Sequence, residues 1–235
     1  MSKTKVIYQC SSCGHTSSKW TGKCIECGEW NTISEQTIAI QKKENSFNFK
    51  VNPPKSLNEI STNTTKRIQI NDKEFNRVIG GGLVKGSVIL IGGEPGIGKS
   101  TLTLKIALSL KETILYVAGE ESSEQIKMRA NRLNISNESC FIYNETHVSS
   151  ILKSSDKINP TLIIIDSIQT LYVDSIDAAP GSISQIRHST EQLIKYSKNK
   201  SIPIIIIGHI TKDGSIAGPK ILEHMVDTVL QFEGD

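Results

Sequence analysis

Four aliphatic runs dominate the pattern of apolar and polar positions: Val88-Ile89-Leu90-Ile91, Ile114-Leu115-Tyr116-Val117, Leu162-Ile163-Ile164-Ile165 and, around Pro203, residues 202–207. None alternates with polar residues. Each therefore predicts a strand covered on both faces, as strands of a parallel sheet between helical layers are. Cys140-Phe141-Ile142-Tyr143 and the stretch near residues 228–232 predict two more. Between these runs the apolar spacing changes to that of a helix. Residues 101–110 carry Leu104, Ala107 and Leu108 on one face, residues 122–133 begin at a capping Ser122, and residues 146–155 form another segment. Residues 182–197 form an amphipathic helix with Ile183, Ile186, Leu193 and Ile194 inward. Ahead of the first run, residues 66–70 read as a short strand and Phe75, Val78 and Ile79 as one short helical face; Gly80-Gly81-Gly82 then makes a connecting turn. Alternating strands and helices predict an α/β domain over residues 57–235 with a central, mostly parallel sheet.

The pattern vanishes upstream. Residues 33–56 are dominated by Glu, Gln, Lys, Asn and Ser and end on Pro53-Pro54, which predicts a linker. Residues 1–32 cannot bury a core of their own, but they hold Cys10-x-x-Cys13 and Cys24-x-x-Cys27. Each pair can form a knuckle that aims two thiolates at one ion, and Gly14 and Gly28 suit the turn that follows. A redox dithiol or an iron–sulfur cluster uses the same residue type; the repeated spacing favours a zinc finger, with Zn²⁺ on Cys10, Cys13, Cys24 and Cys27. Trp20 and Trp30 lie beside it with Lys19 and Lys23. Packing over the metal is the simpler reading of the two rings, and stacking on bases is the alternative.

Charge changes this picture little, because 27 basic residues face 24 acidic ones. No apolar run approaches a membrane span, and the N-terminus leads into no signal region, so a cytoplasmic protein without membrane partners is expected. In that compartment cysteines are reduced or metal-bound, and Cys140 reads as a buried thiol.

The candidate chemistry sits at the ends of the aliphatic runs. Gly93-Glu94-Pro95-Gly96-Ile97-Gly98-Lys99-Ser100, followed by Thr101, fits the phosphate-binding loop G-x-x-x-x-G-K-[ST] between a strand and a helix. The glycines let backbone N–H groups turn toward phosphate oxygens, Lys99 reaches the β- and γ-phosphates, and Ser100 ligates Mg²⁺. Asp166 closes the third run and either ligates the same Mg²⁺ or caps the next turn. His209 closes the fourth, where a polar side chain either senses the γ-phosphate or is structural. A glycine-bearing loop, 211–220, follows.

With these residues placed, the chain resembles the bacterial RadA (Sms) family of RecA-related DNA repair and recombination ATPases. The resemblance is carried by residues 8–14 and 19–31 around the cysteines, Glu74-Phe75-Asn76-Arg77-Val78-Ile79-Gly80-Gly81-Gly82-Leu83, the phosphate loop, and Tyr116-Val117-Ala118-Gly119-Glu120-Glu121-Ser122. Near the end it is carried by Gly208-His209-Ile210-Thr211-Lys212, residues 214–219 and residues 222–229. It implies a RecA-like P-loop core that hydrolyses ATP, binds single-stranded DNA, and drives branch migration at recombination intermediates. A homo-oligomeric, hexameric ring is implied as well, with RecA and a replicative helicase as further partners. On the RecA pattern Glu120, not Glu121, is the acid that activates water, alongside Lys99 and Asp166. Loops near 174–182 and 211–220 face DNA, with Lys212 and Lys220 either on phosphates or simply exposed. The resemblance also implies a Lys-Asn-Arg-Phe-Gly motif and a Lon-protease-like domain beyond Asp235, so a truncated chain is expected. Two alternatives stay open: another RecA-like ATPase of the helicase or circadian-clock type, and a non-catalytic, ATP-regulated DNA-binding module. The cysteine finger and Gly208-His209-Ile210-Thr211-Lys212 argue against the first.

Overall fold

A computed structural model describes residues 4–39, 56–59, 66–209 and 222–233. The aliphatic runs form a parallel sheet. Its strands are β4 (Val88–Gly93), β5 (Ile114–Ala118), β6 (Cys140–Tyr143), β7 (Leu162–Asp166), β8 (Ile204–His209) and β9 (Thr228–Phe232). The order is β6-β5-β7-β8-β4-β9, and every pairing is parallel.

Continuous apolar runs are required here because successive side chains enter two different cores. Val88, Leu90, Val117, Ile163, Ile165 and Ile206 face α4 (Val148–Ile158) and α5 (Ile183–Lys200). Ile89, Ile91, Ile114, Tyr116, Ile164 and Ile205 face α2 (Lys99–Ser109) and α3 (Ser123–Leu133). Each fully buried aliphatic side chain contributes about 1.5–3 kcal/mol, so these runs are the frame on which the loops are hung.

Helix boundaries follow local chemistry. Ser122 caps α3 by accepting from Gln125 N–H, and the Gln125 side chain returns the bond to Ser122 N–H. Asp72 caps α1 (Lys73–Val78) through Phe75 N–H at 3.0 Å.

Three expectations are corrected. Residues 66–70 form a single bridge, Ile68 to Leu83, in place of a strand. There Asn76 takes both backbone groups of Ile70, and Gly82 lies so close that a Cβ would meet Ile68 O at 2.7 Å. The inward face of α5 is more polar than expected: Ile186, Leu193 and Tyr196 are buried and Ile194 packs against the same core, but Ser184, Gln185, Ser189, Thr190 and Ser197 are buried as well. Short hydroxyl side chains can be buried there because helix and neighbouring carbonyls accept from them, as Ile186 O does from Thr190 and Ile202 O from Ser197.

The third correction is at the expected linker. Its first residues are strand β3 (Ile33–Ala39), paired along the whole of β1 (Thr4–Cys10). With β2 (Thr16–Ser17) they form a three-stranded antiparallel sheet that carries the cysteines. Ser34 and Glu35 are both exposed, so β3 shows no apolar alternation and its pairing rests on backbone bonds. Residues 40–55 of the expected linker lie outside the described residues, as do 210–221 with Lys212 and Lys220.

Candidate functional site

Strand order assembles one rim of the sheet. β8 lies between β4 and β7, with Gly93 in register with His209, and β5 lies beside β7, with Ala118 in register with Asp166. The carboxyl ends of four neighbouring strands therefore deliver the phosphate loop, His209, Asp166 and Glu120 together.

Residues 94–98 turn from β4 into α2. Gly96 and Gly98 have φ of +82° and +113°, a region that strains any L side chain. At Gly93 a Cβ would lie 2.7 Å from Phe232 O of β9. Gly98 provides no side-chain cap, so the N–H groups opening α2 face outward at the positive end of the helix dipole. Glu94, Pro95, Gly96 and Thr101 are exposed; Ile97, Gly98 and Ser100 are half-buried. Lys99 is buried, and its Nζ donates to Gly93 O and Glu94 O, both at 2.7 Å. Burial draws the Lys99 pKa below the ordinary lysine value, and the negative charges of Asp166 and Glu120 work in the opposite direction. This loop fits a polyphosphate: inward-turning backbone, a dipole end and one ammonium.

Asp166 leaves β7 half-buried and accepts a hydrogen bond from Tyr116 Oη at 2.6 Å. Tyr116 is fully buried, and burial, reinforced by Asp166, pushes its pKa well above the usual phenol, so it stays a donor. Ser100 and Asp166 supply hard oxygen donors of the type Mg²⁺ takes.

The two adjacent acids after β5 diverge. Glu120 Oε1 accepts from Ser167 Oγ at 2.5 Å and lies 3.3 Å from His209 Nε2. Glu121 instead pairs with Arg129 of α3. Gly119 between strand and acids has no alternative, because a Cβ would fall 1.9 Å from Thr170 Oγ1. Ser167 and Tyr116 were missed as site residues in the sequence. Ser167 had a readable signal, a hydroxyl directly after the strand-ending acid; Tyr116 is one apolar-run residue among several. The expected loop near 174–182 is tied at its base by Gln185, which accepts from Val173 N–H at 2.8 Å and donates to Ile176 O at 2.9 Å and Ala178 O at 3.0 Å.

In the N-terminal sheet the four cysteine Sγ atoms lie within 4.8 Å of one another. Cys10 and Cys27 approach to 3.7 Å, and Cys13 and Cys24 to 3.5 Å. A tetrahedral zinc with Zn–S of about 2.3 Å needs sulfurs about 3.8 Å apart, so the cluster fits that ion. The knuckles are built alike: Gly14 N–H donates to Cys10 O and Gly28 N–H to Cys24 O, both at 2.9 Å, with φ of +73° and +75° at the glycines. Both tryptophans beside this cluster are exposed.

A sequence profile described as rubredoxin metal binding domain matches residues 8–35, and the profile of the KaiC ATPases matches residues 68–235. The chain belongs to the KaiC family of ATPases. This KaiC-family chain is also similar along its whole length to proteins named DNA repair protein RadA. It is 49% identical to that of Bacillus subtilis over 243 residues, covering 100% of this chain and 53% of the relative. To that of Aquifex aeolicus it is 46% identical over 241 residues, covering 100% of this chain and 53% of the relative. The resemblance drawn from the sequence is borne out, and the chain spans about half the length of these curated relatives. The crystal structure of a KaiC-like protein from Pyrococcus horikoshii matches with a TM-score of 0.58 at 19% identity, covering 71% of this chain and 81% of that one. That likeness shows the RecA-like fold. No helix among the described residues is long and apolar enough to cross a membrane.

Proposed function

We propose that this chain is the ATP-hydrolysing part of a cytoplasmic DNA-repair ATPase that binds single-stranded DNA and processes recombination intermediates, with branch migration as its output. The observation that carries the hydrolytic reading is the convergence of Lys99, Asp166 and Glu120 on one rim of the sheet, with the buried ammonium in the field of both carboxylates. The loop N–H groups from Gly93 to Thr101 and the Lys99 ammonium hold the β- and γ-phosphates. Ser100 and Asp166 hold Mg²⁺, which would supply charge neutralisation of the transferred phosphoryl group. Glu120 orients a water and takes its proton; Ser167 fixes that carboxylate, and His209 touches it from β8. Zn²⁺ on the four cysteines staples the N-terminal sheet.

The RadA-named relatives support the DNA-repair context. A homo-oligomeric hexameric ring, and RecA and a replicative helicase as partners, belong to the same proposal. The test is ATP turnover by the purified chain with and without single-stranded DNA. Stimulation by single strands is expected. Turnover that DNA leaves unchanged removes the DNA-dependent part, and nucleotide binding without turnover favours the non-catalytic module.

A further inference from the structure

Trp20 and Trp30, the chain's two tryptophans, serve neither the nucleotide site nor a core: they are 61% and 69% exposed. A pair of indoles held in water on a small rigid unit marks a contact surface. The second knuckle holds them in place. Asn31 N–H donates to Gly22 O at 3.0 Å, Lys23 bridges to Trp30, and Cys24 N–H donates to Glu29 O at 2.9 Å. The hairpin so closed brings both rings to Gly22, where an added Cβ would sit 3.8 Å from Trp20 Cη2 and 3.8 Å from Trp30 Cζ3. Gly22 is not among the residues with positive φ, so the backbone does not demand glycine there. What the missing side chain leaves is a gap bordered by both indoles.

Two lysines accompany the rings. Lys23 Nζ lies 5.7 Å from the Trp30 ring centroid, and Lys19, next to Trp20, is exposed. Of the acids of the same segment, Glu29 accepts from the Ser12 hydroxyl, and Glu26 is exposed, 4.0 Å from His15. Flat aromatic faces flanked by ammonium groups suit an unpaired base on a charged backbone, because every base has a π-face and every link a phosphate.

We infer that Trp20, Trp30 and Gly22 form a slot that stacks an unpaired nucleobase, with Lys19 and Lys23 on the adjoining phosphates. This rests on the proposal that the chain binds single-stranded DNA, and assigns the N-terminal unit a share of that binding.

Because all tryptophan emission comes from the slot, the purified chain reports on it directly. A short oligothymidylate, end-labelled so that anisotropy gives its affinity, is titrated while indole emission is followed. Quenching by single strands and none by duplex is expected. Trp20→Ala and Trp30→Ala should each weaken the oligonucleotide roughly fivefold or more, the low end of the loss of one stacked base. Gly22→Val keeps both rings and fills the gap; with zinc content unchanged, it should weaken binding and abolish quenching. Oligonucleotide that binds without quenching, at an affinity none of the three variants alters, overturns the slot while leaving DNA binding to the core, and points to a protein contact for the indoles. Absence of any binding overturns the DNA reading itself, and the slot with it.

Discussion

Replacing Glu120 and Glu121 in turn by glutamine tests the proposed chemistry most sharply, because the two acids are neighbours with different surroundings. Glu120 is bonded to Ser167 Oγ at 2.5 Å on the rim that carries Lys99 and Asp166, whereas Glu121 points to Arg129 and its carbonyl accepts from Asn144 at 2.6 Å. Glutamine at 120 keeps an oxygen for the Ser167 hydroxyl and loses only the basic site. Nucleotide affinity should therefore hold while single-turnover hydrolysis falls ~100-fold or more, about 2.7 kcal/mol of barrier. Glutamine at 121 keeps an acceptor for Arg129 and gives up one partly exposed ion pair, worth about 1 kcal/mol or less of stability, with turnover nearly unchanged. Equal slowing by the two variants, or greater slowing at 121, refutes the assignment of the base.

Lys99→Ala removes the donor to two loop carbonyls and the charge facing the phosphates; nucleotide affinity should drop ~100-fold or more in a folded protein, by equilibrium binding. Elemental analysis should find zinc on the one four-cysteine cluster, and chelation or Cys24→Ser should unfold the N-terminal sheet while circular dichroism of the helical core persists. Gly119→Ala must displace Thr170, whose hydroxyl donates to Ser167 O at 2.8 Å; a loss of about 1–3 kcal/mol in denaturant melts and slower turnover are expected together.

What the sequence revealed followed the strength of its local signals. Runs buried on both faces, such as Leu162–Asp166, had no competing reading, and their strands lie where expected. The phosphate-loop glycines were legible because conformation, not packing, dictates them: Gly96 and Gly98 need positive φ. Strand β3 was hidden because its successive residues Ser34 and Glu35 are both exposed and it pairs mainly through its backbone. The polar inner face of α5 was hidden for a related reason. Gln185 is buried by what it binds in the 173–178 loop, a partner distant from its own helical turn and invisible to helical periodicity. The exposure of Trp20 and Trp30 went unread because composition alone cannot tell an aromatic that covers a metal from one that faces water.

The separation of the two adjacent acids has a cause in the sheet. β5 supplies the Tyr116 hydroxyl and, past its end, Glu120; β7 supplies Asp166 and, one residue on, the Ser167 hydroxyl. Each carboxylate is held by the hydroxyl of the other strand: Asp166 by Tyr116 at 2.6 Å and Glu120 by Ser167 at 2.5 Å. Gly119 N–H adds a backbone bond to Asp166 O at 2.9 Å, closing the brace where the strands part. Residues beyond a strand end ordinarily move as loops do. Here the spacing of the two acids is set by the parallel register of β5 and β7, in which Ala118 meets Asp166. Glu121 lies one residue outside this brace, which is why an identical side chain beside Glu120 is spent on Arg129.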